Sequence, residues 1–234
     1  MSGFCSILIM KKRLECIAEK IPWGIGMIDV GTDHGYLPVA LAQRGYPGAL
    51  YASDIGEGPL ATARQHAREA GFADRLRFLC CDGLDLCPPD AVDTIVIAGM
   101  GGDTIVGILD RAEWCMNERY TMIFQPMTRA EVLRYWLAYN GFAITQEDLV
   151  EDGGVLYAVL CARFGGVTRL NDAELYTGSL AQIGRHALFP RFWETQRRRF
   201  LKVYRGLKES GAGDEDGRLA LCETICRQLE EMKP

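Results

Sequence analysis

Long apolar runs, metal-ligand spacings and internal repeats are all missing from this chain, and each absence removes a class of function. The apolar run Phe4 to Met10 is too short to span a bilayer, and its basic cluster Lys11-Lys12-Arg13 follows it, the reverse of a secretory leader. The expectation is a cytoplasmic protein with no membrane partner. None of the nine cysteines forms a Cys-x-x-Cys pair with a second ligand pair, which argues against a zinc site and against a disulfide framework. Cys222 and Cys226, four apart on a helical pattern, read as helix packing, and no metal is assigned. There is no low-complexity tract. Histidine is scarce, and of the three only His34 sits beside other candidate site residues.

What is present is enough apolar material, 48% of 234 residues, for one ordinary core domain plus an appendage. The net charge of −5 hides an asymmetry. Residues 1–162 carry 13 basic and 21 acidic side chains, whereas 163–234 carry 13 and 10. Between Arg185 and Lys208 there are eight basic residues and one acid, a block suited to a polyanion.

Strand and helix patterns alternate through the first two-thirds of the chain. A short helix over 11–20, closed by Pro22, is expected to lean on the first strand. Strands follow at Met27–Val30, Ala49–Ser53, Leu76–Cys80, Thr94–Ala98 and Thr121–Phe124, with helices at Tyr36–Arg44, Pro59–Ala70, Asp103–Arg111 and Arg129–Asn140. Five parallel βα units imply an α/β sheet covered on both faces. Phe142–Val150 and Val155–Arg163, joined by Glu151-Asp152-Gly153-Gly154, predict a closing antiparallel hairpin. That combination resembles the class I methyltransferase Rossmann-like sheet. Gly165-Gly166 marks a boundary between domains at 1–165 and 166–234. Beyond it Phe189, Phe192, Trp193, Phe200, Val203, Tyr204 and Leu207 stripe a long helix, Gly211 to Asp216 breaks it, and Leu219 to Leu229 stripe a second, giving a C-terminal α-helical hairpin.

In a doubly wound sheet the ligand lies at the carboxyl ends of the strands. The first such loop, after Asp29, is Gly31-Thr32-Asp33-His34-Gly35. Its glycines allow positive φ, but Asp33 replaces the middle glycine of a dinucleotide fingerprint, so that fingerprint fails. At the second, Asp54 before Ile55 can accept from both ribose hydroxyls of a nucleoside; at the third, Asp82 before Gly83 can accept from an adenine amine. The fourth, Ala98-Gly99-Met100-Gly101-Gly102, lacks the Asn/Asp-Pro-Pro-aromatic run of enzymes that methylate exocyclic amines. Ring N1 of adenine already carries an in-plane lone pair, so positioning should dominate its methylation. Asp33 can offset charge arriving on the base.

Asp29 to Pro38, Ile97-Ala-Gly-Met-Gly-Gly102 and Gln125-Pro126, followed by a helical hairpin, resemble the bacterial tRNA (adenine-22-N1)-methyltransferase family. The resemblance implies S-adenosylmethionine (SAM) as methyl donor, adenine 22 of tRNA as target, and a coiled-coil-like C-terminal domain that helps bind tRNA. Carried onto this chain, it makes Asp33, His34, Gly99 and Met100 catalytic candidates. Asp29, Gly31, Asp33, Gly35, Asp54, Ile55, Asp82, Gly83, Ala98 and Gly99 become cofactor candidates, with Gln125 and Pro126 on the substrate side. Arg198, Lys202 and Arg205, which share a helix face, are the expected phosphate contacts. Two departures stand out: Met127 where relatives carry Asn after Gln-Pro, and Asp54 where they carry Glu. Competing readings are a methyltransferase for another RNA or a small molecule, and a noncatalytic RNA-binding protein that keeps a SAM pocket. The sequence leaves the oligomeric state open.

Overall fold

The computed structural model describes residues 10–209 and 217–234. Residues 1–9 and 210–216, which take in most of the apolar run from Phe4 and the whole Gly211 to Asp216 break, lie outside the described residues. Seven strands form one sheet: β1 (Gly26–Val30), β2 (Ala49–Asp54), β3 (Leu76–Cys80), β4 (Thr94–Gly101), β5 (Thr121–Thr128), β6 (Phe142–Asp152) and β7 (Val155–Phe164). Their order is β3-β2-β1-β4-β5-β7-β6. The first five are mutually parallel, and β7 runs antiparallel to both β5 and β6. The alternation read from the sequence thus yields the class I methyltransferase sheet.

All five residues of β1 are buried, as a central strand covered on both faces requires. Successive side chains then feed opposite cores. Ile28, Val30, Ile95, Ile97 and Phe124 join one cluster, while Met27, Leu50, Val96 and Ile123 join the other. The second face is closed by α1 (Lys12–Lys20) and α2 (Tyr36–Gln43) through Ile17, Leu37 and Leu41. The first is closed by α4 (Gly102–Arg111) and α5 (Ala130–Tyr139). On the second face α3 (Glu57–Glu69) packs over β2 and β3.

Several expectations change. Helix α1 leans on β6 and β7 rather than on β1. Its apolar pair Ile17 and Ala18 shares a cluster with Val159 and Cys161 of β7, and Lys20 Nζ anchors it to Asp148 of β6 at 2.7 Å. Strands β4 and β5 run past their expected ends, because Met100 still pairs with Pro126 and Gly101 with Thr128, across register irregularities. Val203, expected in the helical seam, is 39% exposed. Tyr204 and Leu207, both half-buried, continue the stripe from Phe200 as expected, following the helix period.

Between sheet and terminal helices lie two short helices that the sequence pattern did not suggest, α6 (Asp172–Thr177) and α7 (Leu180–Ile183). A capping box formed by Asn171 and Glu174 opens α6. They are tied down by a buried ion pair: Arg134 Nε of α5 donates to Glu147 Oε1 of β6 at 2.7 Å, with side chains 0% and 1% exposed. Arg134 Nη1 also reaches Leu175 O, and Glu147 Oε2 accepts from Ser179 N, both at 2.8 Å. Helices α8 (Phe189–Glu209) and α9 (Arg218–Glu231) then pack together. Trp193 Nε1 donates to Leu229 O at 2.8 Å across their seam. Phe189, Phe192, Trp193, Phe200, Ile225 and Leu229 belong to the same apolar cluster as Ile28 and Phe124, so the helical pair extends one face of the sheet's core. Among the described residues no helix is long and apolar enough to cross a membrane.

Candidate active site

The loop after β1 is held by backbone geometry. Gly31, Asp33 and Gly35 have φ of 69°, 54° and 69°, so three of five residues are left-handed, one of them not glycine. Such a conformation at Asp33 costs about 1–3 kcal/mol and persists where surroundings over-determine it. Here the Gly31 and Thr32 N–H groups both donate to Ser53 O, at 2.8 and 2.9 Å, and Asp33 N reaches Asp54 Oδ2 at 3.3 Å. The end of β2 therefore dictates the shape of the loop after β1. A Cβ on Gly35 would lie 2.9 Å from that of Ala63, so this glycine admits close packing of α2 on α3; one on Gly31 would strike the Met100 methyl.

This loop borders a cavity of about 540 Å³ at the carboxyl ends of β1, β2 and β4. Asp29, Gly31, Asp33, His34, Asp54, Ala98, Gly99 and Met100 all line it, as expected of a shared site. Asp29 is buried and accepts from Thr32 Oγ1 at 2.7 Å. Burial pushes its carboxyl up to about 7; the Thr32 bond works against this, the neighbouring Asp54 reinforces it, and Arg13 opposes it weakly. Asp54 Oδ1 accepts from Gly56 N at 2.9 Å and Oδ2 from Asp33 N, leaving each oxygen acceptor capacity toward the cavity.

Other candidates sit elsewhere. Ile55 is 74% exposed and does not line the cavity. Asp82 also does not; its Oδ1 is paired with Arg111 at 2.8 Å, outside the lining of the cavity. At Gly83 a Cβ would meet the Ile108 side chain at 2.8 Å, which makes it a packing residue against α4. Gln125 is buried: its Oε1 accepts from Arg13 Nη1 at 3.0 Å, and its Nε2 donates to Pro126 O at 3.1 Å and to Met127 Sδ at 3.5 Å. The methionine that replaces asparagine thus serves as a weak acceptor for the Gln125 amide. Pro126 borders a separate cleft beside β5.

The cavity also gathers residues that carried no signal as site residues: Lys11, Arg13 and Tyr36. The cluster Lys11-Lys12-Arg13 reads in sequence only as the flank of an apolar run. In the fold α1 lies across the hairpin, and Arg13 bridges Gln125 and Asp152, the latter at 3.5 Å. His34 packs against Tyr36 and His66 with ring centroids at 5.4 and 5.8 Å, and His66 Nδ1 lies 2.9 Å from His34 O. His66, given no role from sequence, backs the loop. Asp33 Oδ2 lies 3.4 Å from His34 Nε2.

On α8, Arg198, Lys202 and Arg205 do share one exposed groove. Arg198, 77% exposed at its side chain, bonds Glu194 at 2.6 Å, and Arg197 bonds Glu230 of α9 at 2.7 Å. Exposed pairs of this kind exchange readily for other anions.

Residues 10–160 match the family model described as a methyltransferase domain. The tRNA (adenine(22)-N(1))-methyltransferase of Bacillus subtilis is 28% identical over 231 residues, covering 97% of this chain and 96% of the relative. The crystal structure of the Bacillus subtilis m1A22 tRNA methyltransferase superposes with a TM-score of 0.85 at 27% identity, covering 97% of this chain and 100% of that one. A Streptococcus pneumoniae protein crystallised in complex with S-adenosyl-L-methionine superposes with a TM-score of 0.80 at 27% identity, covering 96% of this chain and 99% of that one. The chain belongs to the methyltransferase-domain family, and along nearly its whole length it is similar to tRNA (adenine-22-N1)-methyltransferases.

Proposed function

We propose that the chain methylates N1 of an adenine in tRNA from SAM, adenine 22 by analogy with its relatives, in the cytoplasm where tRNA is found. In this reading residues 1–165 hold cofactor and chemistry, and residues 166–234 hold tRNA. One observation carries it: an acid-lined cavity at the strand ends and a basic helix face rest on one continuous core. The cavity suits the cofactor, since small-ligand sites span about 300–1,000 Å³. Its carboxylates also suit a cationic ligand. When bound, SAM supplies an electrophilic methyl group on a sulfonium.

Asp54 accepts from the ribose hydroxyls, and Asp29 with Thr32 holds the charged end. Asp33, His34, Gly99 and Met100 border the place where the base meets the methyl group. The adenine N1 lone pair lies in the ring plane and needs no proton removed, so orienting the base is the main task. The Asp33 carboxylate offsets the positive charge that develops on it. Gln125, its amide braced on Pro126 O, shapes the substrate side by holding Arg13 at the mouth. Arg198, Lys202 and Arg205 meet phosphates, trading the internal Glu194 contact for the polyanion.

That same contact, with the Arg197–Glu230 pair, favours a second reading as a small-molecule methyltransferase, because it partly neutralises the basic face. Tritium transfer from labelled SAM to an unmodified tRNA pool, followed by nucleoside mapping, separates the two. Label in 1-methyladenosine is the expected result; no label in tRNA would overturn the reading.

A further inference from the structure

Beside the cofactor cavity lies a smaller cleft of about 170 Å³ that the proposed chemistry does not use. Its walls come from both halves of the chain: Arg129 after β5, Tyr157 of β7, Tyr176 of α6, and Gln196 and Arg199 of α8. Met100, which lines the cofactor cavity, pairs in register with Pro126, which lines this cleft. Those two wall residues are one strand spacing apart, about 5 Å.

Its composition is that of a base-binding site. Tyr157 and Tyr176 supply aromatic surface, and the Arg199 guanidinium lies over the Tyr176 and Phe200 rings at 5.7 and 5.6 Å. The Gln196 carboxamide oxygen is buried and has no hydrogen-bond partner. A buried acceptor left open is rare in a folded protein and calls for a donor from outside. Arg129 stands at the rim in a left-handed conformation, φ 53°, where a Cβ on Gly102 would collide with its carbonyl oxygen. Its guanidinium is held 2.9 Å from Asp103. A closed cavity of about 150 Å³ accommodates benzene, so an open cleft of this size admits one ring system.

We infer that this cleft receives a second, unpaired tRNA nucleotide next to the target adenine. Its base stacks on the aromatic wall and donates an N–H to Gln196, while Arg129 and Arg199 meet its phosphates. Single-stranded RNA is recognised by stacking on aromatic and guanidinium planes and by bonds to exposed base edges. Every base carries an N–H on its pairing edge, so Gln196 selects for an unpaired nucleotide rather than for one base. The inference rests on the proposed function, since it assigns where the same tRNA continues past the site.

The test compares wild type with Gln196→Leu on an intact tRNA transcript and on transcripts with a single abasic nucleotide on either side of the target adenine. Base stacking and its accompanying contacts are worth roughly five- to hundredfold per base. Wild type should lose such a factor in KM on one abasic transcript, and Gln196→Leu should lose a comparable factor on the intact one. On that abasic transcript the variant should lose nothing further, with SAM affinity unchanged throughout. If Gln196→Leu fails to fold, the nearly isosteric Gln196→Met, which likewise removes the acceptor for the base, carries the same cycle. Independent, multiplying losses, or a wild type indifferent to both abasic sites, would overturn the inference while leaving adenine methylation intact. A wild type that transfers no methyl group to the intact transcript would overturn the proposed function and the inference together.

Discussion

At the carboxyl ends of β1, β2 and β4 the proposed cofactor surface is made by backbone: left-handed residues at Gly31, Asp33 and Gly35, locked by bonds to Ser53 and Asp54, around the buried carboxyl of Asp29. On the outer face of α8 the proposed tRNA surface is made by side chains alone, exposed cations on a helix, one of them resting on Glu194. The first surface is preorganised for one ligand shape and gains little from charge at a distance. The second is sensitive to charge density and salt, and indifferent to shape. Yet the two are not independent bodies, because the buried Arg134–Glu147 pair and a continuous apolar cluster join them.

The sharpest way to break that comparison is to cut the joint. Arg134→Met leaves Glu147 buried without its partner, which costs about 3–5 kcal/mol. For a chain of this size each kcal/mol lowers Tm by about 2–4 °C. Scanning calorimetry should show one transition, lowered by roughly 10 °C. An unchanged Tm, or a split into two transitions with the upper one at the wild-type temperature, would mean that sheet and helices fold separately.

Within the preorganised surface, Asp54→Ala removes the proposed ribose acceptor, a loss of about 1–3 kcal/mol or five- to hundredfold in SAM affinity, with tRNA affinity preserved. Titration calorimetry giving wild-type affinity in the folded variant would take Asp54 out of the site. A smaller effect concerns Asp29, whose carboxyl is raised to about 7 by burial. Below that pH it is neutral in the free protein, and a cationic ligand favours the carboxylate, so SAM affinity should rise about tenfold between pH 6 and 8 with proton release. Asp29→Asn should flatten that profile. In the free protein the sign is opposite: the contribution of Asp29 to stability is present below the ordinary carboxylate range and fades as pH climbs through about 7.

The sheet was legible because its signal is local: apolar runs ending in acids and glycines, alternating with helical stripes, and a Gly153-Gly154 hairpin. The loop after β1 was legible for the same reason. What escaped depends on contacts distant in sequence. Arg13 reaches the cavity only because α1 crosses to β6 and β7, and Asp82 pairs with Arg111 of α4 outside the cavity lining. Helix α6 is a different kind of miss, since Asn171 and Glu174 spell a capping box in the sequence itself. Of the expected stripe only Val203 falls outside the packed face that Phe200, Tyr204 and Leu207 share, a distinction that spacing by threes and fours does not resolve.

The division between a shape-reading sheet and a charge-reading helix is tested most directly by tRNA binding across a salt series, for wild type and for the Arg198→Glu, Lys202→Glu, Arg205→Glu triple variant, with SAM affinity measured alongside. Each phosphate contact adds about 0.7–0.9 to the slope of log affinity against log salt, so the triple variant should lose about two to three units of slope while binding SAM as wild type does. Equal slopes in a variant that keeps its helicity would contradict the account, and would leave the basic face of α8 a solvated surface only.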